Sequence, residues 1–388
     1  MGITMQTETH KSKIGGQALF EGVMMRGPAC EAMAVRKKDG TIHLETKELP
    51  PNRWYQKTPF IRGSFNFVIQ MRNGYKYMMK SMEICGFLDE DEEELRKIEE
   101  RKKAKKAKKS KKSKEIQGEN EVEGSGENAE LQSENDVIYF NNADCPKVQT
   151  ETQAIDKPKK DGKAEAAIGV IGMVLGVVIA IGLFMYVPTL GATYAVGLLN
   201  SEVDSYHALF AGLIRIILFV AYMWAISLMK DIRTTYEYHG AEHKTITAYE
   251  AGERLDPENV ENVKKYTRLH PRCGTSFIFL VLVISILLYS ILPIRPTRIA
   301  DYFGVSMFAA NIMNTGIKLL LMPFLVGITY EVIKLAGRHD RNIIMRAISA
   351  PGLALQRLTT CEPTDRQLQV AITAMLPVIP DKLEDDKW

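Results

Sequence analysis

Two histidines and a glutamate form a compact group in a polar stretch of the sequence between two apolar runs. His239 and His243 are four residues apart, and Glu242 directly precedes the second histidine. Residues at i and i+4 share one face of a helix, so both imidazoles could reach a single metal ion. The order His-x-x-Glu-His is the inverzincin pattern, in which the histidines hold Zn²⁺ and the glutamate deprotonates a water molecule. Histidines at this spacing also arise by chance, so the prediction depends on further ligands nearby.

A second group of ligand types follows in His270-Pro271-Arg272-Cys273. An imidazole and a thiolate are both zinc ligands, and a turn can present them to one ion. If all four side chains bind, the site is closed and structural; if only three bind, an open position is left for catalysis. The sequence leaves both alternatives open.

A helical hairpin would bring the two groups together. We expect the second apolar span to continue as one helix through residues 231–250 and to stop at Gly252. A returning helix over residues 257–268 would start at Asp256-Pro257 and be closed by Pro271. With a rise of about 1.5 Å per residue, both His239 and the end of the returning helix lie roughly 15–18 Å above Met229. His270 and Cys273 would then lie level with His239.

Glu331 is the remaining candidate ligand. It follows Tyr330 near the end of the last apolar run, and carboxylates at a membrane edge are candidates for function. The alternative for Glu331 is an ion pair with Lys334 or Arg338.

Four apolar stretches are long enough to cross about 30 Å of hydrocarbon, which takes roughly 20 helical residues. They cover residues 164–187, 207–229, 275–292 and about 316–335. The apolar segment 303–313 could be an interfacial helix or part of a longer last span. The fold class is therefore mainly α: a polytopic membrane protein with about four transmembrane helices, the cytosolic hairpin between spans two and three, and a small N-terminal β unit.

The distribution of Lys and Arg predicts the orientation of the spans. The 188–206 connection has no Lys or Arg, whereas the 230–274 connection has eight. Basic loops stay in the cytosol, so the polar loop and both termini are predicted to be cytosolic. The five cysteines lack a regular spacing and favour a reducing compartment.

The regions outside the spans differ in character. Residues 12–88 predict a β unit over 14–49, with a turn at Lys38-Asp39-Gly40, and a helix over 62–86 that packs on the bilayer or on another helix. Residues 89–162 form a charged insertion that is expected to be disordered. The membrane domain covers 163–337 and includes the polar loop 230–274. Residues 338–388 form a cytosolic helical region with turns at Pro351-Gly352 and Pro363 and a helix over 364–375.

A basic run lies inside the charged insertion. Residues 101–114 contain ten basic residues in fourteen. The stretch from Lys102 to Lys114 could contact anionic lipid or ribosomal RNA through released counterions. The alternative is a solvated tether, because no aromatic residues lie between the lysines for base stacking.

Several strings in the sequence together resemble one family. They are Gly15-Gly16-Gln17, the run 21–28, the run 239–244, Tyr249-Glu250, the run 270–277, Tyr330-Glu331, Pro351-Gly352-Leu353 and Leu358-Thr359-Thr360. These strings resemble the YqhQ family over about residues 12–88 and 163–376. The resemblance implies a bacterial inner-membrane protein of a group regarded as predicted metal-dependent enzymes.

Two functions from different classes follow. The first is a zinc-dependent hydrolase at the cytosolic membrane face, with His239 and His243 as ligands and Glu242 as the catalytic base. His270, Cys273 or Glu331 would complete the ligand set around a divalent metal, which the motif predicts to be Zn²⁺. The second is a non-catalytic scaffold, with or without a structural metal, that docks a cytosolic partner such as the ribosome. A metal or ion transporter is disfavoured by the few ionisable residues in the spans.

Overall fold

The structure, a computed structural model, describes residues 10–50, 54, 58–87, 175–198, 205–292, 294–338 and 342–386. The charged insertion 89–162, including the basic run from Lys102 to Lys114, therefore lies outside the described residues.

The N-terminal unit is a four-stranded antiparallel meander in the order β1-β2-β3-β4. Its strands are β1 Gly15–Leu19, β2 Gly22–Arg26, β3 Cys30–Arg36 and β4 Ile42–Glu48. The predicted turn is confirmed: Arg36 pairs with Ile42, and Gly40 takes the positive φ of 88° that a glycine tolerates. Helix α1, Ile61–Ile84, follows the sheet as the apolar spacing predicted.

Four helices are long and apolar enough to cross a membrane, and they indicate a membrane protein. They lie within α2 (residues 175–198), α3 (Ser205–Ser227), α6 (Gly274–Ile291) and α8 (Met307–Arg338). The segment that was predicted as interfacial or as part of a longer span joins α8 from Met307 onward. A separate short helix, α7 (Pro296–Phe303), precedes α8.

The first span was expected to end at residue 187, before Pro188. The helix instead continues to residue 198. Proline has no N–H to donate to the carbonyl four residues earlier. Here that carbonyl belongs to Phe184, in a π-helical turn at Gly182–Tyr186, and it accepts a hydrogen bond from Arg215 Nε at 2.8 Å. The wider π turn and the arginine donor together let the helix pass the proline.

The polar loop differs from the predicted hairpin in two ways. The second span does not continue unbroken, because Met229 is extended (ψ 132°) and a new helix, α4, runs from Lys230 to Glu250. The return arm contains only one helical turn, α5 at Glu261–Lys264, instead of a helix over 257–268. The predicted stop is confirmed, with Gly252 at φ 78° directly after α4.

The C-terminal region consists of α9 (Ile343–Thr359), α10 (Asp365–Met375), a 3₁₀ turn at Leu376–Val378 and α11 (Leu383–Asp386). The predicted helix is confirmed in α10, where Thr364 and Gln367 form a capping box. The turn expected at Pro351-Gly352 was wrong, since both residues lie inside α9. Gly352 is required there by close packing, because a Cβ at this position would lie 2.6 Å from Ser276 Cβ and Oγ.

One hydrophobic core joins three parts of the chain that are far apart in sequence. Buried side chains of the sheet, such as Val23 and Met25, pack with Tyr238 and Ile246 of α4 and with Leu368 and other residues of α10. The core therefore fixes α4, which carries the histidines, between the sheet and the C-terminal helix.

Candidate metal centre

Three of the predicted ligands meet at one point. The ligand atoms of His239, His243 and Cys273 all lie within 4.8 Å of one another. The two imidazole rings are 4.4 Å apart between centroids, as their spacing of four on α4 requires, and His239 Nε2 lies 3.1 Å from Cys273 Sγ. A zinc ion bonds thiolate at about 2.3 Å and imidazole at about 2.0–2.1 Å, so atoms at these mutual separations could surround one ion.

Each imidazole is oriented by a backbone carbonyl. His239 Nδ1 lies 2.8 Å from the carbonyl oxygen of Thr359, and His243 Nδ1 lies 2.6 Å from that of Arg268. A carbonyl only accepts, so both Nδ1 atoms carry a proton, and each Nε2 atom presents a lone pair when its imidazole is neutral. This is the arrangement that metal-binding histidines commonly have in proteins.

Side chains of α4 hold the return arm through two backbone carbonyls. Inside the expected helix over 257–268, the Lys264 carbonyl would bond the N–H of Arg268. In the observed loop Lys264 O accepts from Lys244 Nζ at 2.7 Å instead, and Arg268 O accepts from His243. The loop is thus fixed to α4 by the side chains that follow Glu242.

Cys273 is the N-cap of the third span. Its Sγ accepts from the backbone N–H of Thr275, the second residue of α6, at 3.5 Å. Burial opposes ionisation of this thiol, but the two neighbouring imidazoles outweigh burial and hold the pKa of Cys273 well below its usual value. The helix N-terminus acts in the same direction. Cys273 is therefore poised as a thiolate.

The pKa of His239 is shifted in the opposite direction to that of Cys273. Burial alone would lower the pKa of His239, but the charge and hydrogen bond of Cys273 raise it to about 9. Without a metal, the two side chains form an imidazolium–thiolate pair. A cation that replaces the shared proton would meet one thiolate and two neutral imidazoles.

Glu242 lies beside this cluster and under the first strand. It is 5% exposed, and a Cβ on Gly16 of β1 would lie 2.9 Å from its Cγ and Cδ. The backbone of Gly16 hydrogen-bonds the carboxylate, while Oε2 is buried without a hydrogen-bond partner. Burial raises the pKa of Glu242, although the charges of His243 and His239 oppose the shift. A carboxyl whose pKa is raised holds a proton more readily, as a group that accepts a proton must.

A second orphaned atom points to a missing ligand. His243 is 1% exposed, and its Nε2 is buried with no hydrogen-bond partner. Buried polar atoms normally have a partner, and the exceptions call for an explanation such as an ion. His243 Nε2 and Glu242 Oε2 are both such exceptions; His243 belongs to the three-residue cluster, and the carboxyl of Glu242 is close enough for the charges of all three cluster residues to act on its pKa. The residues present therefore fit a bound metal ion.

The structure places the other two predicted ligands elsewhere. The ring of His270 lies 5.6 Å from that of His243, but its Nε2 is 3.3 Å from Arg272 Nη2 and 3.8 Å from Glu250 Oε2. Glu331 forms a bidentate ion pair with Arg62, at 2.8 Å from Nε and 2.5 Å from Nη2. Neither residue belongs to the group whose ligand atoms converge.

Sequence reasoning missed two groups of residues that hold the site. Gln356 of α9 bonds the backbone of His270, and Glu250 accepts hydrogen bonds from the Ser12 backbone at 2.7 Å and from Arg272. Glu250 and Arg272 occur in the strings that carried the family resemblance, but no role followed from them. Gln356 could have been noticed as a polar residue among the apolar positions of helix α9.

Comparison with known proteins identifies the family of the chain. The family model described as "Protein of unknown function (DUF1385)" matches residues 58–381. The chain belongs to this family. It is also 30% identical over 365 residues to "Uncharacterized protein YqhQ" of Bacillus subtilis (strain 168), covering 92% of this chain and 89% of that protein. No solved structure matches the chain. The family is thus shown, and neither description names an activity.

Proposed function

We propose that this protein is a zinc-dependent hydrolase at the cytosolic face of the bacterial inner membrane. His239, His243 and Cys273 would hold the ion and Glu242 would act as the catalytic base. The observation that carries the proposal is the convergence of the three ligand atoms within 4.8 Å, with both Nδ1 atoms fixed by backbone carbonyls.

The number of ligands favours a catalytic site over a structural one. Structural zinc sites are closed by four protein ligands, whereas catalytic sites use three and leave one position open. Among the residues that the structure describes, three side chains converge, and the further candidate His270 has its Nε2 near Arg272 and Glu250.

Each protein group has a defined task in this proposal. A bound Zn²⁺ would act as a Lewis acid and lower the pKa of a water molecule at the open position. Glu242 would accept the proton of that water through Oε2, which has no hydrogen-bond partner among the described residues. The Gly16 backbone holds the carboxylate at the cluster, so the proton acceptor is positioned before any substrate arrives.

The cytosolic location follows from the charge of the loops and from the position of the site. Cys273 directly precedes the third span, so the centre lies at the membrane edge on the side of the basic 230–274 loop. Loops rich in Lys and Arg stay in the cytosol.

The metal is tested by elemental analysis of the purified protein. We expect about one zinc per chain in the wild-type protein, and about a tenth of that or less in His243→Ala and Cys273→Ala, because each loses a ligand of a three-ligand site. His43→Ala is the matched control, since it removes a half-buried histidine on β4 and should leave the zinc content unchanged. Equally low metal in all four proteins after growth with added zinc would refute the site.

The reaction is tested separately with Glu242→Gln. This variant keeps every ligand and should retain the zinc, while turnover of the ester, phosphoester or peptide substrate that the wild-type protein cleaves falls by about 10²–10⁴-fold. A zinc-loaded wild-type protein that cleaves none of these three classes would count against the hydrolase and in favour of a structural ion.

A further inference from the structure

Helix α1 turns small residues toward the rest of the molecule. Gly63, Gly74 and Ser81 are its buried residues. A Cβ on Gly63 would lie 2.7 Å from Tyr330 Cβ, and one on Gly74 would lie 2.6 Å from Gln17 Oε1. Ser81 Oγ accepts a hydrogen bond from the backbone N–H of Phe20 at 3.2 Å. One face of α1 is therefore packed closely against α8 and the sheet.

The opposite face of α1 exposes mostly apolar side chains. Phe65, Val68, Met71 and Tyr75 each expose between 49% and 64% of their surface, and Ile61 and Met79 extend the same stripe at 41% and 38%. Steps of three and four residues keep these side chains on one side of the helix. A contiguous apolar stripe of about 27 Å, from the helical rise over eighteen residues, is unusual on a surface that faces only water.

The beginning of α1 is fixed where two spans end. Arg62 pairs with Glu331 of α8. The apolar part of α8 ends at Ala336, five residues after Glu331. The ring of Phe67 packs on that of Phe277, in the first turn of α6, at 5.7 Å between centroids. The first two turns of α1 thus pack along α8, from Glu331 back to Pro323, whose carbonyl oxygen accepts from Ser64 Oγ, and on the first turn of α6. The apolar stripe therefore begins next to the lipid-facing surface of the spans.

The charges on the exposed face of α1 indicate which kind of surface it contacts. Arg72 and Lys76 are exposed among the apolar residues of the stripe, and no ion pair of either residue is found with another described residue. Lys80, one turn further, pairs with Glu45 at 2.5 Å. Apolar side chains flanked by free cations are typical of helices that lie in the interface of an anionic bilayer.

We propose that the exposed face of α1 lies in the interfacial layer of the membrane. Phe65, Val68 and Met71 would enter the boundary between headgroups and acyl chains, and Arg72 and Lys76 would contact lipid phosphates. The sheet, which packs on the other face of α1, is then held against the membrane surface. This inference does not depend on the proposed metal or its chemistry.

The test places an environment-sensitive fluorescent amino acid at single positions of the full-length protein in proteoliposomes. The probe at Val68 reports on the apolar stripe. The probe at Gln70, also exposed but on the opposite side of α1, is the matched control. Lipids with a nitroxide near the headgroup or near the top of the acyl chain act as quenchers.

We expect blue-shifted emission at Val68 and at least about twofold stronger quenching there than at Gln70, because an interfacial helix buries its apolar face about 5–10 Å into this layer. Arg72→Gln with Lys76→Gln should reduce the quenching at Val68 in vesicles that contain phosphatidylglycerol more than in pure phosphatidylcholine. Equal quenching at Val68 and Gln70 would overturn the proposal. So would unquenched, blue-shifted emission at Val68 with energy transfer between differently labelled copies, since a second copy would then cover the stripe.

Discussion

The side-chain amide of Gln356 bonds both backbone polar groups of His270. Its Oε1 accepts from the His270 N–H at 2.8 Å, and its Nε2 donates to the His270 carbonyl oxygen at 2.7 Å. The same Nε2 lies 3.0 Å from Ser276 Oγ in the first turn of α6. Gln356 is fully buried, so these bonds are shielded from water. Through this one side chain, α9 fixes the turn that presents Cys273.

Replacing Gln356 should therefore loosen the metal site without removing a ligand. In Gln356→Leu the backbone groups of His270 are left unpaired, and Cys273 loses its fixed position relative to His239. We expect zinc affinity to fall by about 10–100-fold, the range seen when groups that orient ligands are removed. Competition with a chromophoric zinc chelator measures this change.

The control for Gln356→Leu is Gln70→Leu, which changes an exposed glutamine on α1. It should leave zinc affinity unchanged. Wild-type affinity in Gln356→Leu would show that the turn keeps its shape without this clamp.

Two adjacent glycines should respond differently to alanine. A Cβ on Gly16 would lie 2.7 Å from the Met24 carbonyl oxygen and 2.9 Å from the Glu242 side chain, whereas one on Gly15 meets nothing within 4 Å. We expect Gly16→Ala to lower the free energy of unfolding by about 1–3 kcal/mol, as overpacking does, and to displace Glu242. Gly15→Ala should change the stability by less than about 0.5 kcal/mol. Thermal unfolding followed by size-exclusion chromatography compares the two, and equal midpoints would contradict the close approach of β1 to Glu242.

The sequence predicted those parts of the fold that depend on local patterns. The four apolar helices follow from hydropathy, the turn at Gly40 from its glycine, and the pairing of His239 with His243 from helical spacing. The carbonyls that orient these histidines could not be predicted in the same way. Arg268 O meets His243 along a return arm that contains one helical turn and is otherwise a loop, and the path of that loop depends on packing against a core formed by distant segments. The Arg62–Glu331 pair was missed because its partners are 269 residues apart.

Breaking the Arg62–Glu331 pair should lower the stability of the protein without changing its zinc content. Glu331→Gln leaves the guanidinium of Arg62 without its anionic partner, although both side chains are mostly shielded. We expect a loss of about 1–3 kcal/mol in the free energy of unfolding, as for charged hydrogen bonds, with zinc content unchanged. Arg62→Gln should destabilise the protein similarly. A loss of zinc in Glu331→Gln alone would instead assign Glu331 to the metal site.

Glu250 should make stability depend on pH in the acid range. Burial would raise its pKa, but the hydrogen bonds and charges of His270 and Arg272 outweigh burial and lower it from the ordinary value of 4.5. A carboxyl whose pKa is lower in the folded state stabilises the fold above its unfolded pKa, and this contribution is lost as pH falls through the folded pKa. We therefore expect Glu250→Gln to unfold at a lower temperature than wild type at pH 7.

The same difference should shrink as the pH is lowered from about 4.5, since the wild-type carboxylate then becomes protonated as well. Glu48→Gln, which changes an exposed glutamate at the end of β4, serves as the control and should follow the wild-type curve. A constant difference between Glu250→Gln and wild type from pH 7 to pH 4 would show that Glu250 acts by packing and not by its charge.

Gly240 of α4 packs closely against the segment 359–361, whose Thr359 carbonyl orients His239. A Cβ at Gly240 would lie 2.1 Å from the carbonyl oxygen of Cys361, whose N–H donates to Tyr236 O at 2.9 Å. Gly240→Ala must push this segment away, and with it the Thr359 carbonyl that holds His239 Nδ1. Gly316→Ala in α8 meets nothing within 4 Å and should stabilise its helix by up to about 1 kcal/mol. We expect lower zinc affinity and a lower unfolding temperature in Gly240→Ala, and neither loss in Gly316→Ala. Unchanged zinc affinity in a folded Gly240→Ala protein would mean that the Thr359 carbonyl does not orient the ligand.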